Sequence, residues 1–138
     1  MQLANNEELD TFLKIHPSIK MMEVLMIDMN GIIRCKRIPR SEFAELFTEG
    51  LKSPASTVLL NVKGEFCDEL DKADLDGDPD RLIRPIKNTL SIIPWLESET
   101  AQVLSTFTEL NGEPNLFDSR NVLINSLKPL YALGLKLV

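Results

Sequence analysis

An α+β fold is predicted by three features of the sequence. Two apolar runs flank the pair Asn30-Gly31, the strongest short-range signal for a hairpin. Segments with apolar residues at helical spacing stand at 7–15, 41–49 and 118–133. Strand-like runs fall between them in blocks rather than in a regular strand-helix alternation, which separates an α+β order from a parallel α/β one.

In chain order, Leu9, Phe12 and Leu13 give the first helix its apolar side. Glu7 and Glu8 lie in its first turn, where the helix dipole favours acids, Asn5 or Asn6 is the candidate cap, and Pro17 ends it. His16, the chain's one histidine, sits just before that proline, in a surface or loop position. Residues 21–29, MMEVLMIDM, are too short for a long helix and read as a strand. In 32–38, IIRCKRI, alternation puts Ile33 and Cys35 on one side and Arg34 and Lys36 on the other, the pattern of a hairpin with one wet face.

Phe43, Leu46 and Phe47 make the second helix, with Ser41 as candidate cap and Gly50 as terminator. LKSPAS then reads as a loop and STVLLNV, 56–62, as a strand. Residues 65–80 are acidic and rich in breakers, an exposed excursion, and Leu82 and Ile83 mark the return to order. TLSIIPW, 89–95, is expected as a strand ending at Pro94. AQVLSTFTEL, 101–110, is the next strand, with Asn111-Gly112 as a turn. The last helix, Asp118 to Leu133, has Val122, Leu123, Leu127, Leu130 and Tyr131 as its apolar stripe. Pro129 should bend or split it, and Gly134 should cap it. LKLV begins an element that the chain does not finish, so the expectation is one piece of a longer protein.

The 138 residues are 43% hydrophobic and 26% charged, a balance that supports a packed core and disfavours disorder as the main state. The net charge of −6 and a pI of about 4.8 argue against a nucleic-acid module, which needs a basic surplus. Cys35 and Cys67 make neither a CxxC pair nor a disulfide framework, which fits a reducing, cytoplasmic setting. No signal-peptide core opens the chain, and no run approaches the roughly 18 apolar residues of a membrane span.

Bottom-up, no motif carries chemistry alone. The run Asp74-Leu75-Asp76-Gly77-Asp78-Pro79-Asp80 suggests calcium, but an EF-hand loop needs glycine at its sixth position and glutamate at its twelfth. Counted from Asp74, those positions hold Pro79 and Pro85, so a solvated turn-rich loop is the better reading. Arg34, Lys36, Arg37 and Arg40 form a basic cluster that could meet a phosphate or a partner's carboxylates; a solvated strand face explains it equally well. There is no phosphate loop, no HExxH and no nucleophile with a histidine placed to activate it.

Several motifs, in order, resemble one family. Asp28-Met29-Asn30-Gly31-Ile32-Ile33-Arg34-Cys35-Lys36-Arg37-Ile38-Pro39 is similar to the D-x-N-G-x-x-R-G-K-R-x-P hairpin of glutamine synthetases. Gly77-Asp78-Pro79-Asp80 matches their G-D-P-D loop, and Thr89-Leu90 with Pro94-Trp95 resembles T-L-x-x-x-P-W. Ala101-Gln102-Val103-Leu104 resembles A-Q-V-L, and Gly112-Glu113-Pro114 with Asp118-Ser119-Arg120 resembles G-x-P followed by D-P-R. Together with Phe12-Leu13 and His16-Pro17, the hairpin looks closest to the γ-glutamylpolyamine synthetase-like branch. Cys35 replaces the hairpin's usual glycine, and Ser119 replaces the proline of D-P-R.

The resemblance implies a β-grasp amino-terminal domain over 20–112, after a helix and lead-in over 1–19, with 113–138 as the start of a catalytic domain. It implies an ATP-dependent glutamate–ammonia or glutamate–amine ligase, in which an acyl phosphate of glutamate is attacked by the nitrogen. ATP and Mg²⁺ or Mn²⁺ would be held by the catalytic domain, leaving no catalytic residue and no metal ligand in this chain, which alone would be inactive. Its partners would be neighbouring subunits of a homo-oligomeric ring, each contributing its amino-terminal domain to the next subunit's active site. The matching loop here is Ser53-Pro54-Ala55-Ser56-Thr57, with Pro54 where ammonia-using relatives carry aspartate. Arg34, Lys36 and Arg37 are the interface or phosphate-facing candidates. The competing expectation is a free-standing β-grasp protein-binding module, since one fold hosts many functions.

Overall fold

The computed structural model describes residues 1–65 and 77–135. Cys67, Asp74, Leu75 and Asp76, most of the acidic excursion and the last three residues of LKLV lie outside them.

Helix α1, Asn6–Ile15, is capped by Asn5, whose Oδ1 accepts the Glu8 N–H at 3.1 Å. Strands β1, Met21–Ile27, and β2, Ile33–Pro39, form the expected antiparallel hairpin. Its turn is not the two-residue kind that Asn-Gly suggests. Gly31 N–H donates to Asp28 O at 3.0 Å and Asp28 N–H to Ile32 O at 3.0 Å, closing a three-residue loop with only Gly31 at positive φ, +76°.

The hairpin's inner face also differs from the expected one. Register pairs Met22 with Ile38, Val24 with Lys36 and Met26 with Arg34, so Arg34 and Lys36 stand on the side of the buried core. Ile33 and Cys35 face outward and are exposed. Alternation alone misassigns this face because the charged ends of Arg34 and Lys36 are bound, Arg34 at the half-buried tip and Lys36 at the exposed rim.

Helix α2, Phe43–Thr48, follows a 3₁₀ turn at Arg40–Glu42, and no side chain caps it, Ser41 included. Phe43, Leu46 and Phe47 are buried as their spacing predicts, each contributing about 1.5–3 kcal/mol relative to exposure. The next two elements exchange places relative to the sequence reading. Leu51–Pro54 is strand β3, with Leu51 and Ser53 inward, and Ala55–Leu59 is a 3₁₀ turn that drives Val58 into the core. Pro54 is tolerated because it ends an edge strand, where no ladder bond is lost.

Strand β4, Asp80–Pro85, begins inside the acidic run, earlier than Leu82. Strand β5 is only Ser91–Ile92, because Thr89 turns inward: its Oγ1 donates to Ile86 O at 2.7 Å and accepts the Leu104 N–H at 3.1 Å. Strand β6, Thr100–Thr108, pairs in parallel with β1 and antiparallel with β4 and β5. Among the described residues the sheet runs β2-β1-β6-β4-β3, with β5 on β6, the hairpin-helix-sheet layout of a β-grasp-like domain. The core lies on one face, where Leu9, Ile19 and the α2 residues meet Met22, Val24, Ile83, Val103 and Phe107.

Helix α3, Ser119–Ala132, is continuous through Pro129. Asp118 caps it, accepting the Arg120 and Asn121 N–H groups, and also takes the Thr106 hydroxyl and the Phe107 N–H. Ser119 occupies the first helical position, where proline is favoured, so the departure from D-P-R leaves the helix start intact. The helix ends at Gly134, whose N–H donates to Tyr131 O. Asn121 is buried, but Val122, Leu123, Leu130 and Tyr131 are exposed rather than packed.

Gly50 ends α2 at φ +86°, and a Cβ there would stand 2.8 Å from Ile83 O and 3.0 Å from the Arg84 side chain. Gly50→Ala is expected to cost about 2–3 kcal/mol, from left-handed strain plus the clash with β4 backbone. Gly31→Ala, with open space around it, should cost only the strain, about 1–2 kcal/mol. Urea unfolding of the two variants checks the order; equal losses would contradict it.

Candidate functional site

Residues 51–61 comprise edge strand β3 and the stretch that leads from it to the tip of the β1–β2 hairpin. Edge strands β2 and β3 approach closely enough for Lys36 Nζ to donate to Lys52 O at 3.1 Å. Three further bonds run from the hairpin tip to the segment. Met29 N–H donates to Val58 O at 2.9 Å, Asn30 Nδ2 to Leu60 O at 2.7 Å and Arg34 Nη2 to Asn61 O at 3.0 Å. Asn61 then folds its own exit, accepting the Lys63 and Glu65 N–H groups on Oδ1.

The carboxylate of Asp28 organises this tip. Its side chain is fully buried. Oδ1 accepts the Asn30 and Ile32 N–H groups, both at 2.9 Å, and Oδ2 takes the Arg34 fork, Nε at 2.9 Å and Nη2 at 2.7 Å. Burial alone would push the Asp28 carboxyl up, but the Ile32 N–H, the Arg34 guanidinium and the Asn30 N–H outweigh it and hold it below the ordinary value. Arg37, on the outer face, makes only a loose 3.6 Å contact with Glu23, of the exposed kind that contributes about 0–1 kcal/mol.

At the other side of the segment, Ser56 binds Asp78 twice, its N–H to Oδ1 at 2.9 Å and its hydroxyl to Oδ2 at 2.6 Å. Ser53 Oγ and Thr57 Oγ1 lie 3.4 Å apart, and Ser53 is buried. Pro54 is exposed, with Ala55, Ser56 and Thr57 half-buried behind it. The structure thus gathers Ser53 to Thr57 with Arg34 and Lys36 around one stretch of chain, and leaves Arg37 apart from it. Asp28, Asn30, Asn61 and Asp78 are partners that residue patterns missed. The first two were visible only as letters of the hairpin motif, and Asp78 only within an acidic run and as a letter of the G-D-P-D match; its φ of +54° is invisible in sequence.

A groove of about 480 Å³ opens elsewhere, between α1 and the turn Lys87–Leu90, and none of Ser53 to Thr57 lines it. Among the described residues no three His, Cys, Asp or Glu side chains converge to hold a metal ion. Among them, too, no helix is long and apolar enough to cross a membrane.

A curled β-grasp-like sheet with an edge-to-edge loop defines the class to which the domain belongs. The chain is a glutamine synthetase-like amino-terminal domain. It is 30% identical over 132 residues, 96% of its length, to γ-glutamylputrescine synthetase of Escherichia coli. It is 31% identical over 112 residues to glutamate–isopropylamine ligase of a Pseudomonas species, and 28% identical over 113 residues to lengsin of Canis lupus familiaris, each match covering 80% of the chain. The chain spans 28%, 24% and 19% of the length of these curated relatives. No family model matches it.

Because the Asp28 carboxyl is depressed in the fold, its contribution to stability is present above the unfolded value near pH 4. It is lost as pH falls through the lower folded value. Asp28→Asn should cost about 2–4 kcal/mol at pH 7, because it leaves the Arg34 charge uncompensated, and should flatten stability against pH below about 4. Urea unfolding between pH 2.5 and 7 tests both; an unchanged slope in the variant would contradict the assignment.

Proposed function

We propose that the chain is the amino-terminal, non-catalytic part of an ATP-dependent glutamate–amine ligase. In this reading residues 20–112 are the β-grasp domain, preceded by the helix and lead-in of 1–19, and 113–138 open the catalytic domain. Segment Ser53–Thr57 then borders an active site completed by the catalytic domain of a neighbouring subunit in a cytoplasmic homo-oligomeric ring. ATP and Mg²⁺ or Mn²⁺ belong to that catalytic domain; glutamine synthetase-type ligases in general depend on both.

The observation that carries the reading is the similarity over 96% of the chain to a γ-glutamylputrescine synthetase. The acceptor proposed is an alkyl amine or polyamine rather than ammonia. Two relatives are named for putrescine and isopropylamine, and Pro54 offers no charge where ammonia-using members carry aspartate. A fixed carboxylate is worth about 1.5–3 kcal/mol in a charge-assisted bond to ammonium. A longer amine offsets its loss by burying methylenes, at about 0.8 kcal/mol each.

Phosphate release by the full-length protein, measured with glutamate, ATP, Mg²⁺ and a panel of acceptors, checks this. Putrescine, spermidine or a simple alkyl amine should give a higher kcat/KM than ammonia, and Pro54→Asp should raise ammonia use. A preference for ammonia in the unaltered protein would reverse the argument from Pro54. The 138-residue chain alone should release no phosphate and show no micromolar ATP binding by isothermal titration with Mg²⁺; a micromolar dissociation constant would refute the non-catalytic assignment.

A further inference from the structure

We infer that Arg34, braced by Asp28, is a positioning residue for the amine acceptor: it fixes the height of segment 53–61 from the hairpin side. The inference rests on the reading above, that this segment meets the acceptor.

A hairpin turn needs no buried ion pair, since the Gly31 bend and two backbone bonds already close it. Asp28 nevertheless gives one whole oxygen to Arg34, and the same guanidinium reaches across to Asn61 O, 27 residues away. A planar fork can hold a carboxylate and a carbonyl at once, which a lysine cannot do with the same geometry. The contact is close-fitting: a side-chain carbon on Gly64 would stand 3.2 Å from Arg34 Nη1. Val58 is the buried peg beneath the segment, and Met29 N–H holds its carbonyl, so the tip and the loop form one hydrogen-bonded unit. On the far side Ser56 is held by Asp78. Pro54 ends β3 opposite Asp80, just ahead of both anchorages, so Arg34 acts on it through the 55–61 segment without touching Pro54 itself.

The test is steady-state kinetics of the full-length protein with Arg34→Ala, Arg34→Lys and Asn30→Ala. Arg34→Ala is expected to raise the acceptor KM by roughly ten- to a hundredfold, as for a displaced positioning group, with the ATP KM within about twofold of the unaltered protein. Arg34→Lys should fall between the two. Asn30→Ala removes only the rim bond to Leu60 O and keeps the buried pair, so it stays informative if Arg34→Ala folds poorly; its acceptor KM should rise about two- to tenfold. In hydrogen exchange, the Met29 amide of the variants should lose protection while Val24 and Val103 keep theirs. An equal fall in kcat/KM for every substrate at unchanged acceptor KM, or an unchanged Met29 amide, would overturn the positioning role while the ligase reading stood. An unaltered protein silent with glutamate and every amine would instead overturn that reading, and this inference with it.

Discussion

A carboxylate taken out of water has to be compensated by the groups around it, and at Asp28 the compensation shapes the hairpin. Two backbone N–H groups of the turn and one guanidinium from the start of β2 converge on it. Satisfying the charge therefore fixes the three-residue loop, and the loop fixes the pairing of β1 with β2. That pairing in turn decides which side of β2 carries Arg34 and Lys36. Half-buried Arg34 reaches Asn61 and exposed Lys36 reaches Lys52, so the sheet's open side is held by cations reaching backbone carbonyls. A buried pair of this kind is weak evidence for stability as such; its effect here is specificity of register and of loop position.

The parallel pairing of β1 with β6 supplies the second constraint. It joins Met21–Leu25 to Thr100–Leu104, which no local turn can bring together, and it puts β4 and β3 on the far side of β6. The connection through α2 then places β3 opposite β2, and the segment after β3 has to cross between them. The candidate loop is thus a product of topology: it occurs where the two edges of one sheet come closest.

Much of this was legible in the sequence, for identifiable reasons. Helical spacing of Leu9 and Phe12, and of Phe43, Leu46 and Phe47, marks α1 and α2 because these helices each bury one stripe. The motif order locates the hairpin and β6. Local pattern fails where a distant partner decides the outcome. Leu51–Pro54 contains a proline and looks like a loop, yet β4 pairs with it; Ser56 to Leu59 is rich in branched and apolar residues, yet it forms a 3₁₀ turn in which Val58 is buried and Leu59 packs half-buried against the core. Alternation in β2 assigned Arg34 to water because periodicity cannot see Asp28. The contact between Ser56 and Asp78 joins residues 22 apart through a left-handed aspartate, which no spacing rule encodes.

Helix α3 is attached at one end. Its first turn is clamped by Asp118 and Asn121 to the last residues of β6, while its flank from Val122 onward touches little. Mutational tolerance along it should therefore divide sharply. Replacements at Thr106, Asp118 or Asn121 disturb buried bonds and bear on folding, whereas charged residues at Leu123, Leu130 or Tyr131 leave the isolated domain's stability nearly untouched and raise its solubility. Any sequence constraint retained on that flank would have to come from packing beyond the described residues rather than from folding of the sheet they form.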